Sequence, residues 1–171
     1  MKKKNIGFFG GTFDPIHFGH LELAISLLEK HSLDEVWFSP AYISPFKEET
    51  KATPEQRKTL ALLAISDIPH FKLVDWELKR KSPSYTIDTI RHLITENPGA
   101  SFNLLLGEDT AKTIGDWKES TELLKLAPPL IGERKFNISS TELRERLHHK
   151  KYCGHLIPTK TLDYIHKHKI Y

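Results

Sequence analysis

Residues 6–20 read Ile-Gly-Phe-Phe-Gly-Gly-Thr-Phe-Asp-Pro-Ile-His-Phe-Gly-His and carry the strongest structural signal in the sequence. The short, apolar and aromatic run Ile6–Phe9 predicts a buried strand. The pair Gly10-Gly11 predicts a sharp exit from that strand and a close approach of the backbone to a ligand. From about Phe18 onward the apolar residues have helical spacing. The stretch therefore predicts a strand, a glycine turn and a helix in immediate succession.

A phosphate group suits the end of such a turn. The N-terminus of a helix presents N–H groups without intrahelical partners and the positive end of the helix dipole. His17 and His20 add two imidazoles that can donate hydrogen bonds to the same anion. They could instead be metal ligands or the exposed start of a helix, but no cysteine or carboxylate completes a metal site at a recognisable spacing. Neither the Walker pattern nor the three-glycine dinucleotide fingerprint is present.

The rest of the chain alternates predicted strands with predicted helices. The strands are Asn5–Phe9, Glu35–Ser39, Phe71–Asp75, Ser101–Leu106 and a weaker one near Leu130-Ile131. The helices are Phe18–His31, Pro54–Ser66, Tyr85–Asn97, Ser120–Leu126, Ser140–His149 and Pro158–His168. This alternation predicts a Rossmann-like α/β fold, a doubly wound parallel sheet with helices on both faces, whose ligand lies at the carboxyl ends of the strands. We expect residues 1–171 to form one domain, with a helical C-terminal portion at about residues 139–171.

The composition indicates which class of ligand and which cellular compartment suit the protein. The 171 residues carry a formal net charge of +3, which fits phosphorylated anions and does not demand nucleic acid. No apolar run approaches the ~20 residues of a membrane span. The single cysteine, Cys153, cannot form an internal disulfide, so we expect a cytoplasmic protein with Cys153 as an inert loop thiol. The basic run 79–81 is expected to be a solvated loop, and the five histidines after Leu147 are expected to be surface residues.

A second block of chemistry lies in residues 137–144, Asn-Ile-Ser-Ser-Thr-Glu-Leu-Arg. Ser139 and Glu142 have capping-box spacing, so the block by itself predicts a helix start. The hydroxyls of Ser139 and Ser140 and the N–H groups of the first turn also form a suitable anion cradle. Arg144 lies about one turn further along, within reach of a phosphate.

The two blocks together resemble the signatures of the nucleotidyltransferase superfamily, which contains the adenylyl- and cytidylyltransferases. Three further stretches resemble nicotinate-nucleotide adenylyltransferase: residues 77–86, Glu-Leu-Lys-Arg-Lys-Ser-Pro-Ser-Tyr-Thr; Gly107-Glu108-Asp109 followed by Trp117; and Pro45-Phe46-Lys47. Taken alone, Ser84-Tyr85-Thr86 predicts only a helix cap, and Trp117 only a core contact. With all blocks in the family's order, the resemblance covers nearly the whole chain.

This resemblance implies an enzyme of NAD biosynthesis that joins ATP and nicotinate mononucleotide into nicotinate adenine dinucleotide and pyrophosphate. It implies that His17 and His20 are catalytic and stabilise charge, without a protein nucleophile. It implies Mg²⁺ held mainly by the ATP phosphates, with no metal site built from protein side chains. The implied ATP and phosphate ligands are Gly11, Thr12, Phe13, Lys47, Ser139, Ser140 and Arg144. The implied ligands of the mononucleotide are Tyr85, Thr86, Gly107, Asp109 and Trp117.

Two departures from the family pattern keep alternatives open. Phe46 stands where the family commonly has a histidine, and the stretch between Trp117 and Ser139 is short. No role follows for Arg134 and Lys135 in that stretch. A phosphopantetheine adenylyltransferase and a nucleotide-binding regulator with weak or lost activity therefore remain alternatives. The preference for the acid or the amide form of the mononucleotide, and a homo-oligomeric state, are left open.

Overall fold

A parallel sheet forms the centre of the protein in the computed structural model, which describes residues 3–45 and 49–171. Its strand order is β3-β2-β1-β4-β5, and each neighbouring pair is parallel. The strands are β1 (Lys4–Gly11), β2 (Glu35–Pro40), β3 (Phe71–Leu73), β4 (Ala100–Gly107) and β5 (Pro129–Gly132). The chain winds outward from β1 in one direction and from β4 in the other, so the predicted doubly wound sheet is confirmed.

Helices cover both faces of this sheet. They are α1 (Phe18–Lys30), α2 (Pro54–Ile65), α3 (Trp76–Arg80), α4 (Thr86–Glu96), α5 (Glu108–Ala111), α6 (Ser120–Leu126), α7 (Ser140–His148) and α8 (Thr159–His168), with a 3₁₀ turn at Ile114–Asp116. Ile6 and Phe8 of β1 share one buried cluster with α4 and α6, whereas Phe9 belongs to a second cluster with α1, α2, α7 and α8. In the described part of the chain, no helix combines the length and the apolar character that crossing a membrane requires.

The glycine pair does not form the turn that the sequence predicted. Gly10 and Gly11 continue β1 in register with Ser39 and Pro40 of β2. The left-handed backbone falls instead on Phe13, whose φ is 51°. A Cβ on Gly11 would lie 2.9 Å from the Phe13 ring, so this glycine makes room for a folded-back aromatic side chain.

The basic run at residues 79–81 was also predicted wrongly as a loop. Lys79 and Arg80 end the short helix α3, and Lys81 caps it with a φ of 52°. The preceding strand ends at Leu73, two residues earlier than predicted, because the chain turns into α3, whose N-cap is Asp75. The Asp75 carboxylate pairs with Lys58 at 2.8 Å and with Lys79 at 2.9 Å. A helix of five residues is too short to display a periodic apolar pattern.

The stretch Thr53-Pro54-Glu55-Gln56 predicts a helix start, with Thr53 as N-cap and proline at the first helical position, and α2 begins there. Thr53 is the N-cap, its hydroxyl accepts from the Gln56 N–H at 3.2 Å, and the Gln56 side chain accepts from the Thr53 N–H at 2.9 Å. This reciprocal capping box satisfies two N–H groups that the helix itself leaves unpaired. It fixes the entry to α2, whose Arg57 side chain reaches the loop after β1.

Candidate active site

Two unlike cavities meet at the topological switch point of the sheet. The strands β1 and β4 end side by side at Gly11 and Gly107. Between these two strands, the direction in which successive strands are added to the sheet reverses. Six residues line both cavities and form the boundary between them: Phe9, Gly10, Gly11, Thr12, Gly107 and Thr110. A ligand with two different halves can therefore span the boundary with one half in each cavity.

The larger cavity, about 780 Å³, is basic and gathers the predicted phosphate ligands. We call it the basic cavity. Of the residues predicted to bind phosphate or to be catalytic, the following line this cavity: Gly11, Thr12, Phe13, His17, His20, Ser139, Ser140 and Arg144. Lys47 falls outside the described residues. The two sequence blocks, more than a hundred residues apart in the chain, thus face the same space.

The two histidines are held as a stacked pair at the start of α1. Their ring centroids lie 3.7 Å apart with an interplanar angle of 25°. The backbone N–H of His17 donates to Nδ1 of His20 at 3.2 Å. Since Nδ1 of His20 accepts, the neutral ring carries its proton on Nε2, where it can be donated to an anion. The Phe13 ring, 5.2 Å from His20 and edge-on, restricts the imidazole further.

The N-terminus of α1 is less open than the sequence predicted. The Phe18 N–H donates to the carbonyl of Leu156 at 3.0 Å, and the His20 N–H donates to the carbonyl of His17 at 3.0 Å. Together with the His17 N–H, these groups already have protein partners. His17, Gly19 and His20 all line the basic cavity, so the two imidazoles and the Gly19 backbone of this helix start face an anion bound there.

Three side chains tie down the loop between β1 and α1 through its carbonyl groups. Arg57, which is fully buried, donates to the Thr12 carbonyl at 2.7 Å. Arg144 donates to the Asp14 carbonyl at 2.8 Å, and the Ser140 hydroxyl donates to the Pro15 carbonyl at 2.9 Å. The loop is thereby fixed between α2 and α7, and no sequence pattern indicated the Arg57 contact.

The two serines of the second block are not equivalent. The Ser139 hydroxyl accepts from the Glu142 N–H at 3.1 Å, so its own proton can be donated into the basic cavity. The single hydroxyl proton of Ser140 is engaged by Pro15. Arg144 donates to Asp14 and to Thr141. Within the described part of the protein, this leaves three of its five N–H donors to bind an anion.

The smaller cavity, about 480 Å³, is mainly apolar and aromatic. We call it the apolar cavity. Of the residues predicted for the mononucleotide, Tyr85, Thr86, Gly107 and Trp117 line it. Lys118 places Nζ 4.7 Å from the Tyr85 ring centroid and 3.2 Å from Asp88, which fixes one wall. A flat heteroaromatic ring fits among such side chains.

A buried carboxyl group that sequence reasoning missed also lines the apolar cavity. Glu77 of α3 is only 5 % exposed and accepts from the Thr89 hydroxyl at 2.7 Å. Burial raises the pKa of Glu77, although hydrogen bonds from Thr89, Ser84 and Ser39 oppose the rise. Glu77 stands in the stretch that resembles the family, but no role was assigned to it, because no helix was predicted there to bury its side chain.

Comparison with known proteins agrees with this geometry. A family model described as Cytidylyltransferase-like matches residues 8–146. The nicotinate-nucleotide adenylyltransferase of Bacillus subtilis is 36% identical over 187 residues, which cover 98% of each chain. The chain belongs to the nicotinate-nucleotide adenylyltransferase family. The fold agrees with nicotinic acid mononucleotide adenylyltransferase of Plasmodium falciparum, solved in complex with NaAD (TM-score 0.75, 22% identity) and with APC (TM-score 0.76, 21% identity); each comparison covers 97% of this chain and 96% of that one.

The short stretch before Ser139 forms one helix and one strand that the sequence predicted. It forms α6 and the edge strand β5, which pairs with β4 and confirms the weak fifth strand. Arg134, to which the sequence assigned no role, lines the basic cavity. Lys135 instead pairs with Glu22 at 3.0 Å.

One residue carried over from the family lies apart from the rest. The Asp109 side chain is 74% exposed, has an ion pair with Lys112 at 3.9 Å, and is not among the residues that line the two cavities. Its neighbour Thr110 lines both of them. The implied contact of Asp109 with the mononucleotide therefore requires that its side chain turn toward the cavities.

Proposed function

We propose that the protein transfers the adenylyl group of ATP to nicotinate mononucleotide, yielding nicotinate adenine dinucleotide and pyrophosphate in NAD biosynthesis. The observation that carries this proposal is the meeting of an apolar, aromatic cavity with a basic cavity at the ends of β1 and β4. The first suits a pyridine ring, and the second suits a triphosphate. Membership in the adenylyltransferase family supports the same reaction.

The reaction proceeds by direct displacement at the α-phosphorus. A phosphate oxygen of the mononucleotide forms the new bond, the bond from the α-phosphorus to the bridging oxygen breaks, and pyrophosphate leaves with that oxygen. An ionised phosphate needs little base catalysis, so alignment and stabilisation of negative charge are the main tasks of the protein. His17 and His20 stabilise the charge on the phosphate oxygens, and Arg144 with the Ser139 hydroxyl holds the triphosphate.

The apolar cavity supplies recognition of the mononucleotide. Trp117 stacks on the pyridine ring, with Tyr85 opposite as part of the wall. Thr86 is the first residue of α4, so its N–H belongs to the group that a helix leaves without an intrahelical partner. This N–H and the helix dipole together favour the carboxylate of nicotinate over a neutral amide.

Mg²⁺ is proposed to enter with ATP, bound to phosphate oxygens and water. Asp14, the buried carboxylate on the basic cavity, already accepts hydrogen bonds from Lys51 N at 2.9 Å and Ala52 N at 3.0 Å. Within residues 3–45 and 49–171, no three His, Cys, Asp or Glu side chains cluster as a metal site. The donors present therefore suit an ion that the triphosphate carries, and the ion would neutralise charge on the leaving pyrophosphate.

The chain is further proposed to act as one domain. In support, α8 packs against α2, and the Thr161 hydroxyl donates to the Leu60 carbonyl at 3.4 Å. Location in the cytoplasm and independence of nucleic acid stay predictions, and a homo-oligomeric state stays open.

An acceptor panel tests the proposed reaction. The protein is incubated with ATP, Mg²⁺ and, in separate reactions, nicotinate mononucleotide, nicotinamide mononucleotide, phosphopantetheine or no acceptor, and pyrophosphate and the adenylylated product are quantified. We expect both products in equal amounts with nicotinate mononucleotide. Faster turnover of phosphopantetheine would overturn the proposed acceptor. Binding of ATP without turnover of any acceptor would identify a regulator instead.

A further inference from the structure

The carboxylate of Asp14 connects the loop after β1 to Tyr171, 157 positions later in the chain. The Tyr171 hydroxyl donates to Oδ1 of Asp14 at 2.6 Å. The same carboxylate accepts from the backbone N–H groups of Lys51 and Ala52 ahead of α2. Asp14 is only 6 % exposed, so its three hydrogen bonds form a buried junction between three separate segments.

The backbone of Asp14 carries this junction to the basic cavity. The Asp14 carbonyl accepts from Nη1 of Arg144 at 2.8 Å. Arg144 lines the basic cavity, as does Asp14 itself, whereas Tyr171 lines neither of the two cavities. Tyr171 can thus act on a bound phosphate only through the residue that it holds.

Tyr171 is itself firmly placed. Its neighbour Ile170 is 6 % exposed, lies in the same core cluster as α2 and α7, and donates its N–H to the Ile165 carbonyl at 3.1 Å. Burial raises the pKa of Tyr171, and the hydrogen bond to Asp14 raises it further. The hydroxyl therefore keeps its proton and remains a donor throughout the neutral pH range.

We propose that Tyr171 is a positioning residue for the ATP phosphates, because it fixes the Asp14 carboxylate and through the Asp14 carbonyl orients Arg144. The proposal depends on the proposed function of the basic cavity. Removing the hydroxyl leaves the carboxylate with two donors, so Asp14 shifts and the guanidinium loses its fixed direction. The apolar cavity does not share this junction, so binding of the mononucleotide is unaffected.

The test compares Tyr171→Phe with Tyr164→Phe. Tyr164 lies on α8, and its hydroxyl makes no hydrogen bond in the described part of the chain, so its variant is the matched control. We expect Tyr171→Phe to raise KM for ATP roughly tenfold, while KM for nicotinate mononucleotide stays within about twofold and the control matches wild type. Equal changes in both KM values, or no change in either, would overturn the proposal.

A second variant distinguishes the proposed positioning of Arg144 from a general loss of structure. Asp14→Asn should show the same selective rise in KM for ATP, and adding Tyr171→Phe to it should change KM by less than about twofold, because the two residues act as one unit. Full additivity would contradict the proposal. The ATP affinity of each variant is also measured by calorimetry without acceptor, so this result does not depend on which acceptor the enzyme uses. A tenfold weaker ATP affinity in Tyr171→Phe supports positioning even if the panel overturns nicotinate mononucleotide.

Discussion

Replacing His20 by alanine is expected to abolish most turnover while the protein stays folded. The imidazole of His20 offers its Nε2 proton to the basic cavity, and the charge on the phosphate oxygens grows during transfer. Removal of one preorganised donor to such charge typically costs about 100- to 1,000-fold in kcat. We expect a loss of this size for His20→Ala, measured as pyrophosphate release at saturating ATP and nicotinate mononucleotide.

The structure also bounds the cost to stability. His20→Ala removes the hydrogen bond from the His17 backbone, about 1 kcal/mol, and edge-on aromatic packing against Phe13, about 0.5–1.5 kcal/mol. The sum, about 2 kcal/mol, is well below the roughly 5–15 kcal/mol that a folded domain of ordinary stability has in reserve. Thermal unfolding should therefore show a lowered but cooperative transition.

His20→Asn separates the two roles of the side chain. Its amide oxygen can still accept from the His17 N–H, but it has no donor at the position of Nε2. We expect this variant to be nearly as stable as wild type and as inactive as His20→Ala, while His166→Ala on the exposed side of α8 leaves kcat unchanged. Substantial activity in His20→Asn would refute electrostatic catalysis and leave His20 as a helix cap.

Three further outcomes follow from individual side chains. Trp117→Ala should raise KM for nicotinate mononucleotide about tenfold through lost stacking, with KM for ATP unchanged; identical saturation curves in steady-state assays would remove the stacking role. Burial raises the pKa of Glu35, but hydrogen bonds from Lys4, Lys72 and Trp37 outweigh this and lower it to about 2 from 4.5. The carboxylate therefore stabilises the fold above pH 4.5, and this contribution, about 1–2 kcal/mol with its partners half exposed, disappears as the pH falls toward 2. Urea titrations should show that Glu35→Gln flattens this pH dependence, and parallel curves for both proteins would contradict it. Thr53→Ala should lower the unfolding free energy by about 1 kcal/mol because the capping box of α2 is lost, and an unchanged urea midpoint would show that the cap contributes nothing.

Local patterns in the sequence predicted most of the architecture. The long helices and the four stronger strands have clear periodicity or apolar runs, and the structure has each of them within a few residues. The capping signals at Thr53 and Ser139 were equally local and are confirmed. The parallel, doubly wound sheet could be predicted because strands that alternate with helices permit few arrangements.

Conformations and contacts set by tertiary packing could not be read in the same way. The left-handed residue is Phe13 rather than a glycine, since its ring is accommodated above Gly11 and held against Phe9 at 5.7 Å. A buried arginine such as Arg57 looks like any surface residue of a polar helix start until its carbonyl partners are known. The bond between Asp14 and Tyr171 joins positions 157 apart, for which no local pattern exists.

As with the fold, only part of the candidate site could be predicted from the sequence. Apart from Asp109, and from Lys47 outside the described residues, every residue that the family motifs named lines one of the two cavities, because such motifs record groups that face one ligand. They did not distinguish Ser139, whose proton is available, from Ser140, whose proton is engaged. They also missed Arg134 and Glu77, which reach the cavities from a shortened stretch and an unpredicted helix.

A crystal structure with nicotinate adenine dinucleotide bound tests the central claim that the two cavities hold the two halves of one product. We predict the nicotinate ring in the apolar cavity against Trp117, and the pyrophosphate crossing Gly11 and Gly107 to reach His20 and Arg144. A dinucleotide whose nicotinate ring occupies the basic cavity, or whose pyrophosphate lies away from His20, would contradict the account.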